Sequence, residues 1–284
     1  MLRLLLLLPL LVALGPPRLP AAQPPPVQSG RLVQSELADW LQGTLAGVYV
    51  EGGDLRLQPE QVTGSYVSPP VQAPFGINGA VLQWHAAVTT AQTLTLELRS
   101  SLDGQSWTGW QRAVPSTASD GGLLSQLFVL HPSTSWVQYR ALFETSAGSP
   151  ALADVTLTYL SSLAGPALVD IAARRPPTGP PTLTPPPLTV SAADWGAVSS
   201  RREVERQRPR RVRITQVPAP TGDPNSAATV RALQWVALNL LQRDALPYHF
   251  VVDGAGTIYQ GAGSATVRLS APSAGTVEIA LLAD

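Results

Sequence analysis

Few side chains in this 284-residue chain could do acid–base, nucleophilic or metal chemistry. There are three histidines, His85, His131 and His249, and no cysteine. The lack of cysteine rules out disulfides, thiolate zinc ligands, a Cys nucleophile and lipid attachment through an N-terminal Cys. Only His249 stands among other functional types, in Tyr248-His249-Phe250-Val251-Val252-Asp253, followed by Gly254-Ala255-Gly256 and Thr257-Ile258-Tyr259-Gln260. No G-x-S-x-G, H-E-x-x-H or G-x-x-x-x-G-K-[ST] pattern occurs. A nucleophile elbow, a two-histidine zinc helix and a phosphate-cradling loop are therefore missing. A Ser-His-Asp arrangement is compatible with the composition, but no spacing points to one.

Charge narrows the partners. The 19 basic residues, all Arg, are matched by 19 acidic ones, so the formal net charge of +0 offers no general attraction to nucleic acid. One cluster stands out: residues 199–213 (SSRREVERQRPRRVR) hold seven Arg against Glu203 and Glu205. It suits an anionic wall polymer or lipid head groups, or equally a solvated loop that Pro209 keeps from forming a continuous helix.

The elements that must position these residues fall into blocks. Met1-Leu2-Arg3, an apolar run over residues 4–14 and the small pair Ala21-Ala22 read as a secretory signal over 1–22. The run is shorter than the ~20 residues that span a bilayer, although an uncleaved anchor is the alternative. Either way the chain is expected to be secreted or in the cell envelope, extracytoplasmic, with no integral membrane span in its mature part. Residues 23–58 form a spacer and lead-in. Residues 59–163 carry short period-two runs such as Thr93-Leu94-Thr95-Leu96-Glu97-Leu98 and Val155-Thr156-Leu157-Thr158-Tyr159, the pattern of an all-β sandwich. Within it, Ser101-Leu102-Asp103-Gly104-Gln105-Ser106-Trp107 signals a hairpin turn. Residues 164–189 are expected to be a linker, since 172–188 hold seven prolines and no apolar periodicity. Residues 190–284 read as strand, helix, hairpin and strand, an α/β layer on a mixed sheet. The helix is expected over residues 226–243, with apolar positions at Val230, Leu233, Ala237, Leu240 and Leu241.

The last block resembles the peptidoglycan-recognition and zinc-dependent N-acetylmuramoyl-L-alanine amidase family. The resemblance lies in Ser191-Ala192-Ala193-Asp194-Trp195-Gly196-Ala197, in residues 223–231 (DPNSAATVR), in residues 248–261 (YHFVVDGAGTIYQG) and in residues 275–282 (GTVEIALL), in the family's order. The sandwich with its S-x-D-G-x-x-W hairpin looks like the jelly-roll accessory modules of exported bacterial hydrolases, either sugar binders or structural spacers.

The resemblance implies an amide hydrolysis that needs Zn²⁺ with an open position, held by two His and a Cys or Asp. Thr215 stands where the first His is expected, and a neutral hydroxyl is a poor replacement for imidazole. The other two ligands would lie beyond the last strand, so the amidase-like domain is expected to be truncated at its C-terminus and to hold no zinc or other cofactor. Ala237 and Ala262 replace a His and an Arg common in relatives. Arg243, Ala245 and Pro247 replace the usual approach to Tyr248. Tyr248 persists at a position lining the reaction centre, and packing is its other reading. His249 and Tyr259 are the binding candidates, although His249 alternates to the other face and suits a structural part. The expectation is an envelope protein that binds peptidoglycan or another glycan without cleaving it. The alternatives are an active amidase, as a fragment or with unforeseen ligands, and a purely structural envelope protein.

Overall fold

In the computed structural model the alternating runs become strands, and the first of them starts earlier than the sequence pattern suggests. Residues 27–173, 187–199, 206–220, 223, 225–261 and 275–283 are described. The proposed signal segment, residues 174–186 of the linker, part of the Arg cluster and Ala262 lie outside them. The first half runs β1 (Gln28–Gln34), α1 (Leu37–Trp40), β2 (Thr44–Ala46), β3 (Val48–Glu51), β4 (Asp54–Leu57), β5 (Thr63–Val67), β6 (Val71–Ala87) and β7 (Gln92–Ser101). It continues with β8 (Gln111–Arg112), β9 (Ser116–Thr117), β10 (Leu123–Leu124), β11 (Phe128–Thr145) and β12 (Ala151–Ser161).

Where two packed sheets were expected over 59–163, these strands pair antiparallel into one continuous 12-stranded sheet, called the sandwich below because it folds over on itself. Its order is β2-β5-β11-β6-β12-β4-β3, with β1 on β12, β7 on β11 and β10 on β6. The long β11 lets the sheet fold over, because Arg140 to Glu144 pair with β5 on one side and β7 on the other. Leu82, Leu96, Leu98, Phe143 and Leu157 fill the space between. Residues 28–57, expected as a lead-in, belong to this layer. Trp40 packs edge-on against Tyr66 at 5.2 Å, and both are fully buried. The buried Gln34 donates to the Tyr66 hydroxyl and accepts from Tyr139, so no member of that polar group is left unpaired. Leu32 and Val33 lie on β1 and Leu37 opens a one-turn helix, after which Gly43 has no room for a side chain against the Tyr66 ring.

The second half runs α2 (Leu168–Ala173), β13 (Thr189–Val190), α3 (Ala192–Trp195), β14 (Arg211–Pro218), α4 (Ser226–Asn239), β15 (Phe250–Val252), β16 (Ile258–Gln260) and β17 (Thr276–Ala283). Its five strands form a mixed sheet in the order β13-β16-β15-β17-β14, with β15–β16 antiparallel and the other pairs parallel. Leu168–Ala173, placed in the linker by composition, is helical and buries Ile171. α4 stops at Asn239, before the expected Arg243, and Gln242 takes a left-handed φ of 51° just after it.

α4 is buried on more than one side: Ala227, Ala228, Val230, Ala232, Val236, Ala237 and Leu238 are all inaccessible. A helix that is apolar nearly all round needs cover all round. The mixed sheet covers one face, and strand β6 of the sandwich approaches another. One apolar cluster joins Val81, Leu127, Val129 and Leu160 of the sandwich to Trp195, Val230, Val251 and Tyr259 of the α/β layer. The two layers therefore share a core.

Candidate functional site

The hairpin of β15 and β16 is held by contacts that explain its residue types. The His249 amide donates to the Glu278 carbonyl, and the Gly261 amide donates to the His249 carbonyl. A Cβ on Gly261 would collide with the Tyr248 carbonyl oxygen, so only glycine fits there. Asp253 closes the turn by accepting from the amides of Ala255 and Thr257, and the left-handed φ of 82° at Gly256 completes it. The Ser191-to-Ala197 stretch works as an anchor. Ser191 and Asp194 form a reciprocal cap on α3, Gly196 ends it at φ 82°, and the buried Trp195 donates its indole N–H to the Gln260 carbonyl.

Two of the three candidate side chains on this hairpin are occupied inside the protein. His249 is fully buried, and its Nδ1 accepts from the Glu278 amide at 2.9 Å. Tyr259 is also fully buried, its hydroxyl 2.7 Å from Ser226 Oγ, which in turn donates to Asp253. Burial pushes the Tyr259 phenol well up, so it stays protonated. Neither ring is among the residues that border the cavity beside Tyr248.

Tyr248 does. It borders a cavity of about 390 Å³ together with Thr215, Val217, Leu233, Ala237 and Leu241. Thr215 is there because period two along β14 puts it on the same face as Val217, beside the buried Ala280 of β17. The opposite wall belongs to the sandwich: Val114, Pro115 and Ser116, then Leu124 to Leu127. Sequence reasoning missed this wall. Nothing in the residues between β9 and the start of β11 announced that they face another layer.

Burial raises the Tyr248 phenol, and the nearby Glu278 carboxylate adds to the shift, so the hydroxyl is a proton-bearing donor. Neither the Tyr248 nor the Thr215 hydroxyl has a hydrogen-bond partner among the described residues. The other polar atoms on the sandwich wall are engaged. Ser116 donates to the Leu124 carbonyl, Ser125 donates to the Gln126 carbonyl, and Gln126 bridges the Val114 amide and the Arg112 carbonyl.

The zinc that the sequence resemblance brings with it does not fit this cavity. Among the described residues its walls hold no imidazole, thiolate or carboxylate. Nor do any three described His, Cys, Asp or Glu side chains gather as metal ligands. A second cavity, of about 540 Å³, is bordered by Asp223, Ser226 and Asp253. Those carboxylates cap α4 and close the hairpin turn, with Asp223 accepting from the Asn225 amide and the Thr229 hydroxyl. No described helix is long and apolar enough to cross a membrane.

The structural neighbours of the chain are peptidoglycan recognition proteins. One is a variant of the Drosophila LB protein in complex with tracheal cytotoxin. It is 25% identical over 34% of this chain and 60% of that one, with a TM-score of 0.30. The Drosophila SD protein is 24% identical over 35% and 62%, with a TM-score of 0.31. Manduca sexta peptidoglycan recognition protein-1 is 26% identical over 34% and 58%, with a TM-score of 0.29. The chain thus spans about 60% of the length of these structures. No protein-family model matches it, and no curated protein does.

Proposed function

We propose that this chain is a non-catalytic recognition protein of the cell envelope, exported by its N-terminal signal, that binds peptidoglycan or a related glycan. One observation carries the reading. Thr215, Ala237 and Tyr248, three positions on separate segments that the resemblance assigns to a reaction centre, border one cavity whose described walls hold no metal donor. Binding needs shape and hydrogen bonds, whereas hydrolysis also needs stabilisation of transition-state charge. Two hydroxyls without partners among the described residues serve the first need and cannot meet the second. Tyr248 is then a ligand-facing donor, and His249 and Tyr259 support it from behind by fixing the hairpin.

The test is co-sedimentation of the mature chain with insoluble peptidoglycan, with the soluble fraction assayed for released stem peptide. Sedimentation without release is expected. A chain that stays in the supernatant would leave a structural role, and released stem peptide would restore the amidase reading.

A further inference from the structure

The cavity beside Tyr248 has a second property: among the described residues no charged side chain lines it. We infer that the group it seats is an uncharged, mainly aliphatic moiety carrying a single hydroxyl or carbonyl oxygen. This rests on the reading of the cavity as a ligand site and goes beyond it by naming the chemistry of the occupant.

Three observations point the same way. The walls are carbon on both sides, with Val114, Leu124 and Leu127 from the sandwich facing Leu233, Val236 and Leu241 from α4 and the residues after it. An ionised group entering there would lose its hydration with no counter-charge to replace it. The volume of about 390 Å³ lies within the range of about 300–1,000 Å³ usual for small-ligand sites, which are mostly apolar with a few placed polar groups. The Tyr248 and Thr215 hydroxyls make no bond within the described residues and together suit one polar atom of a ligand, and the Gln216 amide beside them already has a partner. Ser116, Ser125 and Gln126 already spend theirs on the protein.

An apolar ligand has a competing place to go. Val212, Ile214 and Leu281 leave 64%, 61% and 36% of their surface exposed on the mixed sheet. That surface is open, whereas the cavity is walled from two layers. Of the two, the cavity is the one bordered by the Tyr248 and Thr215 hydroxyls.

The experiment is a titration of the full mature chain with N-phenyl-1-naphthylamine, an uncharged fluorescent probe, followed by displacement with decanol and with decanoate. Saturable binding of one probe per chain is expected, with displacement by decanol. Decanoate at about pH 8, where a carboxylic acid is ionised, should compete at least about tenfold more weakly. Val114 is 64% exposed, so Val114→Arg puts a charge at the rim with little effect on folding. It should weaken the probe at least about tenfold, since its guanidinium must be desolvated or displaced. Leu233→Trp, which fills the cavity, should do the same, and melting curves on both variants check that the fold is kept. Tyr248→Phe should weaken decanol about two- to tenfold, as loss of one hydrogen bond predicts. Ile214→Arg should change nothing. Absence of saturable binding, equal competition by decanoate, or loss of binding in Ile214→Arg but not in Val114→Arg would each overturn the inference. The peptidoglycan reading can fail separately, since its assay is sedimentation and this one contains no polymer.

Discussion

Arg231 Nε donates to the carbonyl oxygen of Ser162 at 2.9 Å, so a cation in the middle of α4 fastens the α/β layer to the end of the sandwich. Its Nη1 donates to the carbonyls of Pro166 and Trp195, and Ser162 Oγ returns a bond to the Ala228 carbonyl. The side chain is 3% exposed, faces carbonyl dipoles in place of a carboxylate, and leaves Nη2 without a partner among the described residues. Burial pulls its pKa down to about 10.

The first prediction tests that clasp. Arg231→Ala empties the site and strands two buried carbonyls and a part-buried one, so it should cost about 2–3 kcal/mol in urea unfolding. Arg231→Met fills the volume without a charge to desolvate and should cost clearly less. A specific protease site placed between Pro180 and Pro181 gives a second readout. After cleavage the two wild-type halves should co-elute on gel filtration, because they share a core. In Arg231→Ala they should separate more readily. Halves of the wild type that separate at once would show that the shared core does not hold them.

Arg231 also marks where the sequence stopped being legible. Strand periodicity, the hairpin turn at Asp103-Gly104 and the strand–helix–hairpin order could be read because each depends on neighbours close in sequence. The docking could not. The five apolar positions first expected to form one stripe of α4 describe a helix covered on one face. The alanines at 227, 228 and 232 are buried as well, and nothing announces it, because alanine is as common on exposed helices as in tight ones. Composition was likewise blind to Ile171, which turns part of a proline-rich stretch into a buried helix. In the cleft, Tyr248 and Thr215 were found through the family resemblance, in the hairpin motif and in the strand before α4. The sandwich wall was missed because its residues come about a hundred positions earlier.

The second prediction concerns pH. His85 Nδ1 lies 2.9 Å from Asp154, and its Nε2 lies 3.8 Å from Asp120 in the turn between β9 and β10, beside the wall of the cavity. The hydrogen bond to Asp154 raises the His85 pKa above its ordinary 6.5. Its contribution is therefore fully present below about pH 6.5 and is lost as pH rises through the raised value. Asp120 is lowered from 3.8, chiefly by the Gly122 amide, so its contribution is present above that pH and is lost on acidification through the lowered value. Stability should thus peak between these limits and decline towards pH 8. His85→Gln should flatten the alkaline limb of a melting-temperature profile. An unchanged profile in that variant would remove His85 as the cause.

A third prediction addresses the aromatic surface of the sandwich. The Arg99 guanidinium stacks on the rings of Trp107 and Trp110 at 4.7 and 4.4 Å, and Arg140 stacks on Trp110 at 4.6 Å. Those indole faces are covered by cations, which favours a structural part over sugar stacking. Trp110→Ala should cost about 1–2 kcal/mol for two cation–π contacts. It should leave any retention on glycan resins unchanged. Retention lost in a variant that keeps its wild-type melting temperature would instead make this face a sugar platform.

The final prediction concerns metal. Thr215 occupies the place where the sequence resemblance expects a zinc-binding imidazole, and the described residues around it offer only hydroxyl, amide and hydrocarbon groups. Zinc held by a protein needs several deprotonated or imidazole donors at about 2.0–2.3 Å, and its binding free energy is then part of the folding free energy. A chain folded around such a site loses stability in a chelator. This one should not. Elemental analysis of protein purified without added chelator should find far less than one zinc per chain. The melting temperature with excess chelator should match that without it. Thr215→His restores one donor but not the tetrahedral set, so it should leave metal content unchanged while weakening an alcohol ligand in the cavity. A stoichiometric zinc in the wild type, lost together with thermal stability on chelation, would mean that donors outside the described residues complete a site. The non-catalytic reading would then fall.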